Sequence, residues 1–457
     1  MRTKSARSRR VRSDPPCYNF VFTSMAVICP FRAWRYAPER VRLGQVVTQP
    51  YDKITPAMQE SYYQASAYNL VRIILGKRLP SDSASENVYT RAAACFENWR
   101  QTGILRQDPT PSLYRYSQKF TTPGSQSVAE RCGFIALSRI EEYSTGVVFR
   151  HEQTLARPKA DRLDLLRSTR AHFGQIFMLY SGDGKVDAML DATASAQPDI
   201  EVFDEYDVVH RVWRISDPAV IGAVQEHMRE QKLVIADGHH RYETALAYRN
   251  ERRQAAPDGA PPAHDYVMAT FVDMDRPGLV ILPTHRAVFG LPDSRIASFP
   301  NQAKRFFNVE EVDAGIDASR ATGILRQAGL AGTVLLAVTG ERAFLLHTPK
   351  AIGTAIFGNL PLSQQALDVV QLHRCLLEGC LGISEDAIRN QQNISYFRET
   401  AEALAQVRDG RVQMMFLMNP VRMTQVRDIA FAGEVLPQKS TDFYPKLLSG
   451  LTIYALD

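Results

Sequence analysis

The sequence predicts a mixed α/β (α+β) fold, and three stretches carry that expectation. Leu233 to Ala236 is a short apolar run of the kind that makes a buried strand, while from Tyr242 onward Tyr242, Ala245 and Leu246 recur at helical spacing. Leu113 to Phe120 and Gly133 to Ile140 alternate like paired strands across the loop 121–130. Tyr89 to Gln101 reads as an amphipathic helix stopped by Gly103.

Taken in order, the apolar start at Ala26 gives a strand that turns polar by Tyr36, followed by Val46-Val47 and the loop Gln49-Pro50-Tyr51-Asp52. Thr55-Pro56 is a good helix start, a capping hydroxyl with proline at the first position. Tyr68 to Leu75 reads as a strand and Pro80 to Glu86 as a solvated loop. Ala160 to Arg170 is a charged helix, Phe173 to Phe177 leads into a strand ending at Tyr180, and 182–210 is weakly patterned. Val212 to Ile215 is a strand and Pro218 to Glu230 a helix. Beyond the central stretch lie a Pro/Ala/Gly-rich loop at 255–263, a strand from Asp265 to Asp273, the run Leu279 to Leu282 and a polar turn, Pro283-Thr284-His285-Arg286. The hexapeptide Thr-Gly-Ile-Leu-Arg-Gln occurs at 102–107 and again at 322–327; its flanks differ, so it reads as two helix ends rather than a duplicated unit. A composition shift near 292–303 marks a boundary. The expected organisation is a disordered basic extension at 1–24, an N-terminal α/β region at 25–125, a core region at 126–292 and a C-terminal α/β region at 303–457.

A chain of 457 residues that is 45% hydrophobic has ample material for a core in each region. Its net charge of +5 is local: Arg2, Lys4, Arg7, Arg9, Arg10 and Arg12 face Asp14 alone within 1–24, and the remainder is neutral. Bulk charge therefore makes nucleic acid an unexpected partner. The basic start and the apolar run from Cys17 to Cys29 lack a small-residue cleavage site, so 1–24 reads as a dispensable extension before Met25. No run reaches the ~18 apolar residues that would span a membrane. Six cysteines form neither a CxxC pair nor a zinc spacing, which fits reduced thiols in a cytoplasmic protein. The absence of Walker A, GxGxxG, HExxH and GxSxG elements excludes an ordinary P-loop kinase, dinucleotide oxidoreductase, zincin or serine hydrolase.

The chemistry concentrates at Asp237-Gly238-His239-His240-Arg241, where a strand hands over to a helix. The first turn of a helix offers free N–H groups and the positive end of the dipole, and Gly238 lets backbone approach a ligand closely. Two imidazoles and a guanidinium add donors suited to phosphate oxygens, with Arg241 capable of a bidentate fork.

This stretch resembles the nucleotide-binding motif of the ParB/sulfiredoxin superfamily. Sulfiredoxin carries Gly-Cys-His-Arg-Tyr where this chain has Gly238, His239, His240, Arg241 and Tyr242. The resemblance implies phosphate contacts from His240 and Arg241 within a ParB/sulfiredoxin-like core. It does not imply sulfinic-acid reduction, because His239 replaces the redox cysteine. Serine kinases of that superfamily carry a similar Asp-Gly…His-Arg element. The chain as a whole is similar to the prokaryotic family known as domain of unknown function 1015. The similarity rests on Pro30-Phe-Arg-Ala-Trp-Arg-Tyr, Pro50-Tyr-Asp, His151-Glu-Gln-Thr-Leu, Ile235-Ala-Asp-Gly-His-His-Arg-Tyr, Leu282-Pro-Thr-His-Arg and Gln438-Lys-Ser-Thr-Asp-Phe-Tyr-Pro-Lys. One departure is Arg150, a cation where proline would be expected before His151-Glu152.

Further polar groups stand on expected turns: Arg32, Arg35 and Glu39; Asp52; His151 and Glu152; His285 and Arg286; Lys439 and Lys446. Gathered by a scaffold, they are candidate substrate contacts. A divalent ion on Asp237 with His239, His151 or His285 is one possibility. His239 and His240 point about 100° apart on a helix and suit one ion poorly. Mg²⁺ held partly by phosphates and by Asp237 fits better. The leading expectation is a nucleotide-dependent small-molecule kinase using ATP or ADP, or CTP. Its helix N-terminus, His239, His240 and Arg241 would hold phosphates, Asp237 would place Mg²⁺, and Glu39 or Glu152 would be the base. By resemblance, the acceptor would be free serine or a similar hydroxy amino acid. The alternatives are a ParB-like nucleotide-binding switch acting in DNA partition, and a metal-dependent hydrolase.

Overall fold

Leu233 to Ala236 is apolar at every position because both faces of its strand are buried. Within the strand Leu233–Asp237, Leu233 and Ile235 enter one hydrophobic cluster, and Val234 and Ala236 enter another. The computed structural model describes residues 25–152, 156–194, 197–255, 262–350 and 356–457. The extension at 1–24, Gln153 to Leu155 and residues 256–261 of the Pro-rich loop lie outside them. With 36% helix and 26% strand, the mixed α/β class holds.

Among the described residues the first sheet runs Val148–Arg150, Leu233–Asp237, Ile176–Tyr180, Tyr266–Asp273, Val128–Arg139, Leu113–Thr121, Val209–Ile215 and Ile200–Phe203. A further strand, Ile28–Cys29, pairs with Val128–Arg139. Leu233–Asp237 runs parallel to Val148–Arg150 and antiparallel to Ile176–Tyr180. The helices Lys185–Thr193, Pro218–Met228 and His239–Ala255 cover one face through Leu190, Val224 and Tyr242. From the other face the core continues through Phe443, Leu447, Leu448 and Leu451 to a second, antiparallel sheet. Its order is Asn308–Val312, Ala343–His347, Val334–Val338, Met414–Met418, His285–Val288 and Ile394–Phe397. The helices Ala318–Gly329 and Thr400–Arg408 pack on the outer face of that sheet through Leu325 and Leu404.

Several expectations change here. Tyr68 to Leu75 is not a strand: Asn69 Oδ1 accepts from Val71 N at 2.9 Å and starts the short helix Val71–Ile74, which buries Val71, Ile73 and Ile74. Pro283 to Arg286 is not a polar turn, since His285 begins a strand in the second sheet and both His285 and Arg286 are buried. The repeated hexapeptide takes two conformations. At 102–107 it passes through Gly103 (φ +72°) into the strand Leu105–Gln107, whereas at 322–327 it lies inside the helix Ala318–Gly329. The expected division at residue 125 falls in the turn of a hairpin, because Leu113–Thr121 and Val128–Arg139 pair throughout. In chain order the last strand of the first sheet ends at Asp273 and the second sheet begins at His285, with Val280–Leu282 belonging to neither. The stretch 182–210 holds the helix Lys185–Thr193 and the edge strand Ile200–Phe203.

The C-terminal region does not stay with the second sheet. Asp442–Tyr444 pairs with Val280–Leu282, Ser449 bridges Thr48, Ile453 bridges Trp34, and Tyr454–Ala455 pairs with Ala171–His172. This returning tail is held from beneath by the first sheet. Buried Arg131 donates to the carbonyls of Tyr444 at 3.1 Å and Pro445 at 2.6 Å, and Gln118 Nε2 donates to the carbonyl of Lys446 at 2.8 Å. Arg131→Ala leaves those buried carbonyls unpaired. It should cost roughly 2–4 kcal/mol in denaturant unfolding and speed amide exchange at 444–448 more than in the first sheet.

Candidate active site

The strand Leu233–Asp237 ends where the helix His239–Ala255 begins, with Gly238 alone between them. That tight joint requires Gly238: its φ is +95°, and a Cβ there would come within 3.1 Å of the Arg241 guanidinium. The joint opens onto a cleft of about 510 Å³. The loop at 51–53, the 237–241 turn, the second-sheet residues Ser395 to Arg398 and the tail from Lys439 to Lys446 wall it.

The cleft is built around two carboxylates. Asp237 Oδ2 accepts from Arg241 at 2.6 Å, and its Oδ1 lies 3.1 Å from Lys446 Nζ. Lys446, with its side chain 9% exposed, also sits 3.0 Å from Asp442 Oδ1. Arg398 pairs with Asp442 at 3.1 Å, and Lys53 Nζ stands 3.8 Å away from the same oxygen. Burial disfavours the ionised form of Asp237, but Lys446, Arg241 and Lys53 override it and hold the carboxyl well below the usual range. Asp442 is held low against burial by Lys446, Lys53 and Arg398. Burial would pull Lys446 down, yet Asp237 and Asp442 keep it above the ordinary lysine value. Lys53 is compensated only in part: burial and the charge of Lys446 outweigh the pull of Asp442 and Asp237 and push it down to about 8.

The tail and the 151–152 segment brace each other. Glu152 Oε1 accepts from the Lys439 N–H at 3.2 Å, and Lys439 holds φ at +59°, a left-handed conformation costly outside glycine. Buried Arg286 donates to the Lys439 carbonyl at 3.0 Å. Burial raises the Glu152 carboxyl, against the opposing pull of the Lys439 N–H bond. His151 donates from Nδ1 to the Ile235 carbonyl at 2.7 Å and accepts at Nε2 from the Thr441 hydroxyl at 2.8 Å; burial lowers it to about 4. His239 is buried 4.8 Å from the His151 ring, with Nε2 unpaired among the described residues, and burial and His151 hold it far below its ordinary value.

Thus Asp52, Glu152, Asp237, Gly238, His239, His240, Arg241, Lys439 and Lys446 line one cleft. His151, His285 and Arg286 lie behind it. His285 donates to the Thr400 hydroxyl at 3.0 Å and accepts from Met418 N, and burial drops it to about 3. Arg32, Arg35 and Glu39 are elsewhere. Arg35 pairs with Asp108 at 2.6 Å, Arg32 donates to the Asp108 carbonyl, and exposed Glu39 pairs with Arg106. Glu39 is therefore not a base for this cleft. Arg241 is largely committed inward, to Asp237 and to the Gln175 carbonyl at 2.5 Å, so the expected open fork is not what its side chain forms. Asp237 fits a Mg²⁺ ligand poorly, because both oxygens already face cations. Among the described residues no group of three or more His, Cys, Asp or Glu side chains is placed to hold a metal. Lys53, Asp442 and Arg398 are the charged cleft residues that the sequence reading did not single out. Asp442 and Lys446 had a signal in their spacing of four within the quoted C-terminal motif, and Lys53 had its position beside Asp52.

The arrangement defines a mixed α/β protein with a densely charged polar cleft at a strand–helix joint. The chain belongs to the family described as protein of unknown function (DUF1015), whose model matches residues 28–379. No curated protein matches it. Among solved structures it is similar to a conserved hypothetical protein from Pyrococcus furiosus at 12% identity, over 65% of this chain and 87% of that one, with a TM-score of 0.32. A free serine kinase in complex with AMP aligns at 12% identity over 67% and 89%, with a TM-score of 0.33. SbnI with a C-terminal truncation, from Staphylococcus aureus, aligns at 10% identity over 69% and 85%, with a TM-score of 0.33. Likenesses this distant carry no argument about activity. No helix among the described residues is long and apolar enough to cross a membrane.

Gly238→Ala should destabilise the protein by about 1–3 kcal/mol, because φ of +95° strains any side chain and the new Cβ crowds Arg241. The low carboxyl of Asp237 adds stability that is fully present above the unfolded aspartate value and is lost as pH falls. Unfolding midpoints should therefore drop steeply below about pH 4. Asp237→Asn should be less stable at neutral pH and show a shallower acid decline.

Proposed function

We propose that this cleft binds a nucleoside polyphosphate and transfers its terminal phosphoryl group to the hydroxyl of a small molecule, a free hydroxy amino acid such as serine being the first acceptor to try. The observation that carries the reading is the convergence of Lys53, His240, Arg398, Lys439 and Lys446 with the N-terminus of the helix His239–Ala255 on one cleft. Burial first, then the charges of Lys446 and Arg398, depress Lys53 against the partial pull of Asp442 and Asp237, and a polyanion at Lys53 would relieve that repulsion. The 237–241 turn then serves as the ParB/sulfiredoxin-like phosphate-binding element.

In this reading Lys53, Arg398 and Lys439 hold phosphate oxygens, and the first-turn N–H groups of the helix hold others. Lys446 stays with Asp237 and Asp442 and supplies charge at the cleft floor. Glu152 is the base. It takes the proton of the acceptor hydroxyl, the hydroxyl oxygen bonds to the terminal phosphorus, and the bond from that phosphorus to the bridging oxygen breaks. A nucleoside diphosphate leaves, and Glu152 ends protonated. Its raised carboxyl suits that exchange.

The test is a titration of ATP, ADP and CTP with and without DNA, followed by product assays with ATP and free hydroxy amino acids. Binding of ATP with phosphoryl transfer supports the reading; CTP binding that needs DNA would replace it with a nucleotide-dependent switch. Glu152→Gln should lower turnover roughly 10²–10⁴-fold with little change in nucleotide affinity. Pyrophosphate affinity should weaken as pH rises from about 7 to about 9, since Lys53 loses its charge near 8, and Lys53→Met should remove most of that dependence.

A further inference from the structure

A second cavity, of about 190 Å³, lies on the far side of the segment that ends at Lys439. Val435, Leu436, Pro437 and Gln438 form one wall. The opposite wall is a π-helix, Leu372–Glu378, in which i→i+5 bonding widens the turn and brings His373 and Glu378 to one face. Gly379 N bonds to the Arg374 carbonyl at 3.1 Å in that pattern. Widened turns of this kind are uncommon and recur at functional sites.

The lining defines a ligand. Leu360, Val370, Ile388 and Leu436 give apolar surfaces. The charges cancel locally: Arg374 pairs with Glu378 at 3.0 Å and Glu385 at 2.8 Å, and Arg389 lies 3.5 Å from Glu385. The remaining polar groups are neutral and two-sided. Burial, with Arg286 and Arg374 adding to it, keeps the His373 imidazole uncharged, and its Nε2 has no partner among the described residues. Gln438 offers an amide that both donates and accepts, and Gln364 adds a second whose Nε2 donates to Glu434 at 3.4 Å. The volume falls below the roughly 300–1,000 Å³ of drug-sized sites. We propose that this cavity binds a small, uncharged, planar heterocycle of the nucleobase class, and that its occupancy is coupled to the catalytic cleft.

The coupling runs through one short stretch of backbone. Leu436 N donates to the His151 carbonyl at 2.8 Å, and three residues on, Lys439 N donates to Glu152. Ser440 closes the turn by donating to the Pro437 carbonyl at 2.5 Å. A ring wedged against Leu436 to Gln438 therefore bears on the segment that orients Glu152. The existence of the site is independent of the proposed phosphoryl transfer; only the meaning of its coupling rests on that reading.

Adenine, hypoxanthine and uracil are the probes, and pyrophosphate, which has no ring, reports on the cleft. With the full chain, at least one base should raise the unfolding midpoint in a concentration-dependent way and change pyrophosphate affinity by about fivefold or more. Ile388→Trp, which fills the cavity, should abolish the response to the base while leaving pyrophosphate binding intact. His373→Phe keeps an aromatic ring and removes the ring nitrogens offered to the base; it should weaken the base selectively and serves as the second variant if Ile388→Trp folds poorly. No response to any base, or an undiminished response in the variant that folds, overturns the site. Base binding without any change in pyrophosphate affinity overturns the coupling. Displacement of bound adenine by ATP would show one continuous site and overturn the separate one. Loss of pyrophosphate binding with base binding retained would sink the proposed function and leave this cavity standing.

Discussion

The buried carboxylate of Asp237 is the point on which the structure turns. An ionised carboxylate is costly to bury unless paired, and here each oxygen has its own cation. Arg241 comes from the helix that Asp237 introduces, so this half of the pairing is local and fixes the angle between strand and helix. Lys446 comes from 209 residues further along the chain and is brought in by the returning tail. One interaction thus joins the first sheet, the helix that opens the cleft and the last segment of the chain. Removing Asp237 leaves two cations facing each other without their shared anion, and removing either cation leaves one carboxylate oxygen without its partner in a low-dielectric setting.

Much of the fold was legible because it is local. Leu113 to Phe120 alternates because one strand presents two differing faces, Thr55 caps a helix through its hydroxyl at 3.2 Å from Met58 N, and Tyr89 to Gln101 keeps helical spacing. What failed was decided by distant neighbours. A run such as Tyr68 to Leu75 has the composition of a strand, and only its seat against Phe96 and Trp99 makes it a short helix. The hexapeptide at 102–107 and 322–327 is the cleanest case, since identical residues adopt different structures. His285 and Arg286 look solvated in sequence, yet the second sheet buries both, with His285 bonded to Thr400 and the Arg286 terminal nitrogens to the carbonyls of Thr284 and Lys439.

The candidate site was legible in outline. A glycine between a strand and a helix, with Asp, His, His and Arg around it, is a local signature, and the positive φ of Gly238 gives it a physical basis. Lys439 and Lys446 stood out within the C-terminal motif. Their assembly with Glu152 and Lys53 had no signal in periodicity, because it depends on where the tail returns. The same limit explains Glu39. Its sequence neighbourhood resembled a functional loop, but Ala37 and Leu105 tie that loop to the N-terminal strands, where Glu39 meets Arg106.

The returning tail also sets an order of events during synthesis. A nascent chain emerges with Asp237 and Arg241 long before Lys446, Asp442 and Lys439 leave the ribosome. Until then Val280–Leu282 lacks its strand partner, and the apolar floor of the first sheet that later meets Phe443 and Leu447 faces solvent. The cleft is therefore complete only once the tail has been made, and a chain truncated upstream of it would lack Lys439, Asp442 and Lys446 and would expose that apolar floor.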